Sequence, residues 1–437
     1  MICVKNLKEY FGKEVVFQGF VDNIRDTKWV SFVILRDNTG SVQMTVEKSD
    51  ENNKEMLDLL STLSLESTVK VTAKVVENEK VRLNGFELIP SKIIVTSENK
   101  EELPFNFKDL DNVNLDTRLD NRYIDLRNDK HMKIFQIQSS LVRYMREYLY
   151  NNDFTEIHSP KLIGAASESG SEVFEVKYFD RKAYLAQSPQ FYKQMAMASG
   201  FSRVFEVAPC FRAENSNTNR HTTEFTSFDV EFSYIDSYED VMNLEAEMLK
   251  YAFEHVKEKH GDEIKEIFGE ELIIPTLPFP MMKLSDVYKE LESRYGYKID
   301  KSEQNDLTSE AEKLVYKLAQ DKFNHEFMFI VDYPAEKRAF YHMRDEEGKL
   351  QGYDLIWRGV EITTGAQREH RYDHIVKVAK EKGLGEDVKF YLDFFKHGCP
   401  PHGGFAIGVD RLTMLMLNLP SLKESMFLFR GPNRLNP

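Results

Sequence analysis

Alternating hydrophobic and polar residues dominate the first hundred positions of the chain. Segments within residues 14–46 and 68–97 alternate with period two, which predicts β-strands, and Asp37-Asn38-Thr39-Gly40 has the composition of a tight turn between two of them. Helical spacing over residues 53–64 separates the two groups of strands. Strands, one helix and further strands within residues 1–100 predict a small all-β barrel of the OB type.

The hydrophobic pattern changes after this barrel. Residues 101–130 are charged and lose periodicity, and we interpret them as a linker or hinge to a second domain over residues 131–437. In that domain apolar residues recur at helical spacing from Lys133 to Tyr150, and a strand that ends at Pro160 follows. Residues 262–330 are mixed in character and are assigned only as a small insertion region.

Two predicted strands and the polar loop between them, residues 203–232, carry charges where a sheet would end. Arg212 and Glu214 follow the first apolar run, at the edge where the chain turns. In the second run the alternation places Asp229 and Glu231 on one face and hydrophobic side chains on the other. The pattern therefore predicts a polar floor on one face of a sheet, with charged groups available to a ligand.

A further charged position lies near the C-terminus. There a glycine-rich strand ends at Gly408 and delivers Arg411 to the start of an apolar helix. Three features of the chain resemble the three signature motifs of class II aminoacyl-tRNA synthetases. They are Pro160 after the long predicted helix, the 203–232 hairpin and this C-terminal segment. Nearly the whole chain is similar to the aspartyl-tRNA synthetase branch of subclass IIb in its compact archaeal form, through QSPQFYKQ, RGVEITTGAQREHR and PPHGGFAIGVDRL.

The resemblance implies an α+β protein with an N-terminal OB barrel and a class II antiparallel sheet flanked by helices. It implies that residues 1–100 bind the anticodon, and that residues 131–437 use ATP and Mg²⁺ to convert L-aspartate into aspartyl-adenylate. The aspartyl group would then pass to the 3′ end of tRNA(Asp), and the protein would be a homodimer. The attacking carboxylate is ionised at pH 7, so the site must supply positioning and cations rather than a general base.

By the resemblance, several residues bind ATP and its metal ion. Arg212, Arg411 and Glu361 are the expected catalytic residues, with Arg212 at the α-phosphate and Arg411 at the distal phosphate; structural salt bridges are the alternative for both arginines. The other expected ATP contacts are Glu214, Arg220, His221 and Phe225. Magnesium is expected to bind the side-chain oxygens of Asp354, Glu361 and Thr364. Either acid could instead pair with Arg358.

Selection of aspartate over asparagine requires cations aimed at the side-chain carboxylate, because the two amino acids have nearly the same shape. Lys193 and Arg368 match the family positions for this task, and a solvated helix lysine is the alternative for Lys193. The substrate ammonium group is expected to contact Glu168, Gln190 and Asp229. Glu168 lies in a small-residue loop, 166–171, that resembles the loop that closes over the amino acid in the family.

In the barrel, the resemblance implies that Phe32 stacks on an anticodon base and that Gln43 and Glu87 contact base edges. Stacking of a base on an aromatic ring contributes roughly 1–3 kcal/mol. Phe32 also alternates with Ile34, so a core position is its alternative.

Composition and charge refine this interpretation. The 437 residues, 41% of them hydrophobic, are enough for two or three domains with sizeable cores. A net charge of −14 disfavours a nucleic-acid partner when taken alone. Residues 1–100, however, contain 14 basic and 15 acidic residues, so a local basic face can exist there.

Cysteine usage and hydropathy indicate where such a protein would work. Cys3, Cys210 and Cys399 are an odd number without metal-ligand spacing, and we expect free thiols. The sequence has no apolar stretch of about 18 residues and no signal-peptide pattern, so we expect a soluble cytoplasmic protein without a membrane partner.

The range of tRNA substrates stays open. Archaeal enzymes that are strict for tRNA(Asp) tend to have Trp at the position of Asp22 and Lys near Leu83, and neither is present here. Charging of tRNA(Asn) in addition to tRNA(Asp) is therefore a second hypothesis. Three other functions are weighed: an asparagine–tRNA ligase, opposed by Lys193; an ammonia-dependent asparagine synthetase, opposed by the barrel; and a paralogue without catalysis.

Overall fold

The computed structural model describes residues 2–164, 173–215, 222–300 and 305–437. The chain divides into two compact units, Met1–Asn112 and Val113–Pro437. The boundary between the units falls inside the predicted linker.

The first unit contains the predicted all-β barrel. Its strands are β1 (Glu14–Asp26), β2 (Val30–Asp37), β3 (Gly40–Glu47), β4 (Thr68–Glu77) and β5 (Phe86–Ser97). They close in the order β1-β2-β3-β5-β4, and helix α1 (Lys54–Thr62) lies between β3 and β4. Asp37 pairs with Gly40 across a two-residue turn, as the turn signal predicts. Alternate side chains such as Val33, Val42 and Val71 are buried inside the barrel.

The strands of the second unit form two sheets. They are β6 (Thr155–Glu156), β7 (Leu162–Ile163), β8 (Glu175–Tyr178), β9 (Arg181–Leu185), β10 (Arg203–Phe211), β11 (Glu224–Ser233), β12 (Met281–Lys283), β13 (Phe327–Val331), β14 (Gly352–Trp357), β15 (Val360–Arg368) and β16 (His402–Gly408). The large sheet has the order β12-β13-β14-β15-β16-β11-β10-β6, and β7-β9-β8 form the small one. Neighbours in the large sheet are antiparallel except β12–β13 and β6–β10 at its edges. The predicted antiparallel sheet is confirmed, with parallel pairing added at both edges.

Ten helices of the second unit fall within the described ranges. They are α2 (Leu115–Asp120), α3 (Arg122–Asp125), α4 (Asp129–Asn151), α5 (Gln190–Ala198), α6 (Tyr238–Glu263), α7 (Leu284–Tyr295), α8 (Ser309–Phe323), α9 (Tyr372–Glu381), α10 (Lys389–Leu392) and α11 (Val409–Met416). Ser237 and Asp240 form a capping box at the start of α6, which is typical of a helix N-terminus.

Helices α4 and α6 pack against each other and contribute to the main core beside the large sheet. The predicted apolar face of α4 is confirmed, because Ile134, Ile137, Leu141, Met145 and Leu149 are all buried. The apolar face of β11 joins the same core through Phe228, Val230 and Phe232. The alternation in the sequence therefore assigned the two faces of β11 correctly, and its acidic residues lie on the opposite face.

The predicted linker contains two helices, α2 and α3, that its sequence pattern does not indicate. Asn114 caps α2 by accepting a hydrogen bond from the backbone of Asp116. The buried guanidinium group of Arg122 donates to the carbonyl oxygens of Glu424 at 3.0 Å and Met426 at 2.8 Å. These helices are too short to show an amphipathic period, so tertiary contacts hold them in place.

The segment 262–330 also has more structure than its sequence pattern indicates. It supplies β12, α7, all of α8 and most of β13, and residues 301–304 lie outside the description. Apolar side chains of α7 and α8, such as Leu291 and Val315, pack in a core of their own with Met328 and Ile330.

Two expectations drawn from composition can be compared with the structure. Cys3, Cys210 and Cys399 are not joined in disulfide bonds, as expected. Among the described residues, every helix is too short or too polar to cross a lipid bilayer.

Candidate active site

A cavity of about 330 Å³ lies over the polar face of the large sheet. Strands β11, β15 and β16 and helices α5 and α11 contribute to its walls. The predicted ATP and metal residues that line it are Arg212, Glu214, Phe225, Glu361, Thr364 and Arg411. The predicted amino-acid contacts that line it are Gln190, Asp229 and Arg368. Side chains that are far apart in the sequence therefore meet in one pocket.

Below this pocket lies a buried network of two cations and two carboxylates, of which Asp229 and Arg368 line the cavity whereas Lys193 and Glu231 lie behind them. Lys193 lies on α5, and its side-chain nitrogen is 2.9 Å from Asp229 Oδ1 and 3.5 Å from Glu231 Oε2. Arg368 on β15 donates to Glu231 Oε1 at 3.1 Å and to the carbonyl oxygen of Gly404 at 2.9 Å. We refer to Lys193, Asp229, Glu231 and Arg368 as the floor network.

Electrostatics explain how the floor network tolerates burial. Burial opposes the ionised form of Glu231, but the charges of Arg368 and Lys193 hold the pKa of Glu231 below its usual value. Unpaired buried charges would be strongly destabilising, so each carboxylate needs its cation. Lys193 is completely buried, which excludes the alternative of a solvated helix lysine.

The predicted ammonium contacts are held by neighbouring polar groups. Ser227 donates from its hydroxyl to Asp229 Oδ2 at 2.5 Å, and the Gln190 side-chain amide donates to Gln194 Oε1 at 2.9 Å. These contacts restrict the rotamers of both side chains before a ligand arrives. Glu168 and its loop 166–171 lie outside the described residues.

The two predicted phosphate-binding arginines occupy different surroundings. The guanidinium carbon of Arg212 lies 5.2 Å from the centre of the Phe225 ring, and Glu214 is at the edge of ion-pair distance from Arg212, at 4.0 Å. Arg411 donates to the carbonyl oxygen of Glu361 at 2.6 Å. Of the predicted phosphate contacts, Arg220 and His221 lie outside the described residues.

The predicted metal ligands meet on neighbouring strands. Asp354 and Thr364 are cross-strand partners on β14 and β15. The Thr364 hydroxyl is 2.9 Å from Asp354 Oδ1 and 3.2 Å from Glu361 Oε1. Burial, together with the charge of Asp354, raises the pKa of Glu361 to about 8.

This arrangement fits a magnesium ion. Mg²⁺ is usually held by one or two carboxylates together with substrate phosphates, and a nearby cation would relieve the repulsion between the two acids. Within the described ranges, no cluster of three or more His, Cys, Asp or Glu side chains has the geometry of a dedicated metal site. The ion would therefore depend on the nucleotide for further ligands.

The alternative in which Asp354 pairs with Arg358 is wrong. Asp354 forms a bidentate pair with Arg338, with Nη1 at 2.9 Å from Oδ1 and Nη2 on Oδ2, rather than with Arg358. Arg358 lies at the turn after β14 and pairs with Glu270 at 3.1 Å and Glu326 at 3.5 Å. No periodic pattern marks Arg338, because it lies in the irregular segment between β13 and β14.

Another lining residue that the sequence analysis missed is His342. It is buried beside Arg368, with which it forms a β-bridge, and burial and the charge of Arg368 lower its pKa well below the usual value. The imidazole is therefore neutral. Its position in the irregular segment carried no motif that could have marked it.

The predicted anticodon residues lie on the neighbouring strands β2, β3 and β5 of the barrel, and Glu87 among them is buried. Gln43 donates to Glu87 Oε2 at 3.1 Å, and Asn78 donates to Glu87 Oε1 at 2.6 Å. Phe32 is half-buried on β2 and is not part of the barrel core. The structure therefore does not favour the alternative of a core position for Phe32.

Comparison with known proteins agrees with this geometry. The family model for class II tRNA synthetases of the D, K and N group matches residues 114–430, and the model for the OB-fold nucleic acid binding domain matches residues 15–96. The chain belongs to the class II tRNA synthetases. The cavity of this synthetase thus lies within the part of the chain that the first model covers.

Relatives of this synthetase have names that differ in their tRNA. An aspartate–tRNA(Asp) ligase from Pyrococcus furiosus is 43% identical over 98% of this chain and 98% of that protein. An aspartate–tRNA(Asp/Asn) ligase from Aeropyrum pernix is 40% identical over 98% of this chain and 96% of that protein. The solved structure of asparaginyl-tRNA synthetase from Pyrococcus horikoshii, complexed with asparaginyl-adenylate, is 29% identical, with a TM-score of 0.88 over 100% of this chain and 99% of that chain.

Proposed function

We propose that this synthetase is an aspartate–tRNA ligase, which uses ATP and Mg²⁺ to activate L-aspartate and transfers it to the 3′ end of tRNA(Asp). The observation that carries the proposal is the floor network, which presents Arg368 to the cavity with Lys193 buried behind Asp229. The names of the curated relatives support the same substrate.

In the proposed complex, Arg368 and Lys193 attract the side-chain carboxylate of aspartate. The uncharged amide of asparagine has no negative charge to interact with these cations, so it forgoes the charge-assisted contacts that the side-chain carboxylate of aspartate would gain. Gln190 and Asp229 bind the substrate ammonium group, with Glu168 as a third contact. The site can in this way separate two amino acids of nearly equal shape.

Activation of aspartate needs the α-phosphorus of ATP in line with the main-chain carboxylate of the amino acid. Arg212 holds the α-phosphate and Arg411 the distal phosphate, since a guanidinium group can bind two phosphate oxygens at once. Adenine binds between Phe225 and Glu214, with Arg220 and His221 as further phosphate contacts. Asp354, Glu361 and Thr364 hold Mg²⁺, which neutralises charge on the phosphates when it is bound.

Transfer places the terminal ribose hydroxyl of the tRNA against the carbonyl carbon of the adenylate. Recognition of the tRNA is assigned to the barrel, where Phe32 stacks on an anticodon base and Gln43 and Glu87 contact base edges. The full enzyme is proposed to be a cytoplasmic homodimer.

A second candidate function, charging of tRNA(Asn) as well as tRNA(Asp), is supported by Asp22. Its carboxylate pairs with Arg36 at 3.0 Å and with Lys108 at 2.7 Å, so the position carries a fixed ion pair instead of an aromatic ring. The relative from Aeropyrum pernix is named for both tRNAs.

The decisive experiment is a charging assay with purified tRNA(Asp) and tRNA(Asn) transcripts, each tested with radiolabelled aspartate and asparagine. Aspartate accepted on tRNA(Asp) alone supports the first function, and aspartate accepted on both transcripts supports the second. Charging with asparagine would contradict the roles of Lys193 and Arg368. Absence of any aspartate-dependent pyrophosphate exchange would contradict the proposed chemistry itself.

A further inference from the structure

Arg338 is held tightly in the wall of the cavity, next to the proposed metal ligands. Both terminal nitrogens of its guanidinium group contact the carboxylate of Asp354, one of them at 2.9 Å. Its guanidinium carbon lies 4.1 Å from the centre of the Tyr333 ring. Only 14% of the side chain is exposed. A side chain fixed by a bidentate ion pair and by an aromatic ring has a defined position before any ligand binds.

The surroundings of this ion pair are rich in negative charge. Asp354 and Glu361 both contact the hydroxyl of Thr364, at 2.9 Å and 3.2 Å. Arg338 and Arg411 are the cations whose charges act on Glu361. Arg411, however, donates to the backbone carbonyl of Glu361 and not to a carboxylate. The direct neutralisation of Asp354 is therefore due to Arg338.

An arginine in this place has a consequence for metal binding. Both oxygens of Asp354 are engaged by Arg338, so a divalent cation that uses Asp354 as a ligand must displace Arg338 from it. A guanidinium group also binds phosphate oxygens in the same forked geometry, so the triphosphate of ATP offers Arg338 a replacement partner.

We propose that Arg338 is an internal counterion of the metal site: it neutralises Asp354 in the empty pocket and has to release that carboxylate before a divalent cation binds there. This proposal rests on the proposed role of Asp354 as a metal ligand. It predicts that the protein without nucleotide has a low affinity for divalent cations, and that Arg338 is the cause of this low affinity. Arg338 therefore acts on metal binding through Asp354 and is not itself a metal ligand.

The test measures binding of Mn²⁺ to the full-length protein without nucleotide, from the electron paramagnetic resonance signal of the free ion. The R338M variant removes the charge and keeps an apolar side chain of similar length. Removal of a unit positive charge next to a carboxylate ligand is expected to tighten Mn²⁺ binding by about tenfold or more. The R338M/D354N double variant is expected to lose this gain.

The matched control is R344M. Arg344 is close in sequence and pairs with Glu381 at 3.4 Å outside the cavity lining, so its removal should leave Mn²⁺ binding unchanged. Equal Mn²⁺ affinity in wild type and R338M, with R338M folded as judged by its thermal transition, would overturn the proposal. If R338M does not fold, R338Q tests the proposal instead, because a glutamine also removes the charge and keeps a polar side chain; unchanged Mn²⁺ binding in R338Q would then overturn it.

The outcome is independent of tRNA charging. A wild-type protein without aspartate-dependent pyrophosphate exchange would refute the proposed function, whereas the Mn²⁺ measurement reports on Arg338 and Asp354 alone.

Discussion

The side-chain nitrogen of Lys193 lies 2.9 Å from Oδ1 of Asp229, and almost nothing of either side chain is accessible to solvent. The lysine projects from α5 and the aspartate from β11, so the pair joins a helix to the floor of the cavity. Glu231 and Arg368 extend this contact into the floor network.

Replacement of Lys193 by methionine is expected to damage both stability and activity. The variant leaves Asp229 and Glu231 with Arg368 as their remaining partner in the network, and loss of one member of a buried ion pair typically costs about 3–5 kcal/mol. We expect the rate of aspartate-dependent pyrophosphate exchange to fall by about a hundredfold or more. The control is K182M, which removes an exposed lysine paired with Glu175 at 3.0 Å. A K193M protein with wild-type KM for aspartate would contradict the proposed role.

Gly404 permits the close approach of β16 to β11. A Cβ atom at this position would lie 2.0 Å from the carbonyl oxygen of Val230 and 2.4 Å from Glu231 Oε2. We expect G404A to displace the floor network and to lower the free energy of unfolding by about 1–3 kcal/mol or more. The control is G385A, because a Cβ atom there has no neighbour within 4 Å. Thermal unfolding and pyrophosphate exchange of the two variants provide the measurement, and equal behaviour would contradict the prediction.

Glu245 is predicted to make stability depend on pH. This acid on α6 accepts a hydrogen bond from the Tyr353 hydroxyl at 2.7 Å, and burial raises its pKa to about 7. In the unfolded chain a glutamate titrates near pH 4.3. The folded state therefore holds the proton of Glu245 more strongly than the unfolded chain does. The stability that this protonation contributes to the folded state is fully present below about pH 4.3 and is lost as the pH rises through about 7.

The E245Q variant removes this titration and keeps the shape and the acceptor oxygen. As the pH rises from 5 to 8, we expect the wild type to lose up to about 3 kcal/mol of its free energy of unfolding relative to E245Q. Urea unfolding at these two pH values measures the difference. Parallel loss of stability in both proteins would show that other groups cause the pH dependence.

Phe32 is expected to contribute to tRNA binding and not to activation of aspartate. Replacement by alanine removes a stacking surface worth about 1–3 kcal/mol, so the KM for tRNA should rise by about 5- to 150-fold. Pyrophosphate exchange, which needs no tRNA, should not change. The control is V16A, which shortens a valine that is 44% exposed on β1. An unchanged KM for tRNA in F32A would place the anticodon elsewhere.

Much of the architecture follows from local patterns in the sequence. Period-two alternation in β11 identified the core face with Phe228 and the polar face with Asp229, because successive side chains of a strand point to opposite faces. Helical spacing identified the buried face of α4 in the same way. The glycine-rich segment before Arg411 also indicated a strand followed by a helix. Most of the residues that line the cavity lie within the motif segments, at the ends or on the polar faces of these elements.

Long-range partners depended on the tertiary structure. Asp354 pairs with Arg338 rather than with Arg358, because the irregular segment after β13 returns to the cavity while the turn after β14 leads away from it. Lys193 is buried because α5 packs on β11, and no pattern within a nine-residue helix could decide that. Periodicity sets which face a side chain takes, since it arises from backbone geometry over a few residues. The partner that meets the side chain depends on how distant segments pack, and that packing decided the electrostatics of this site.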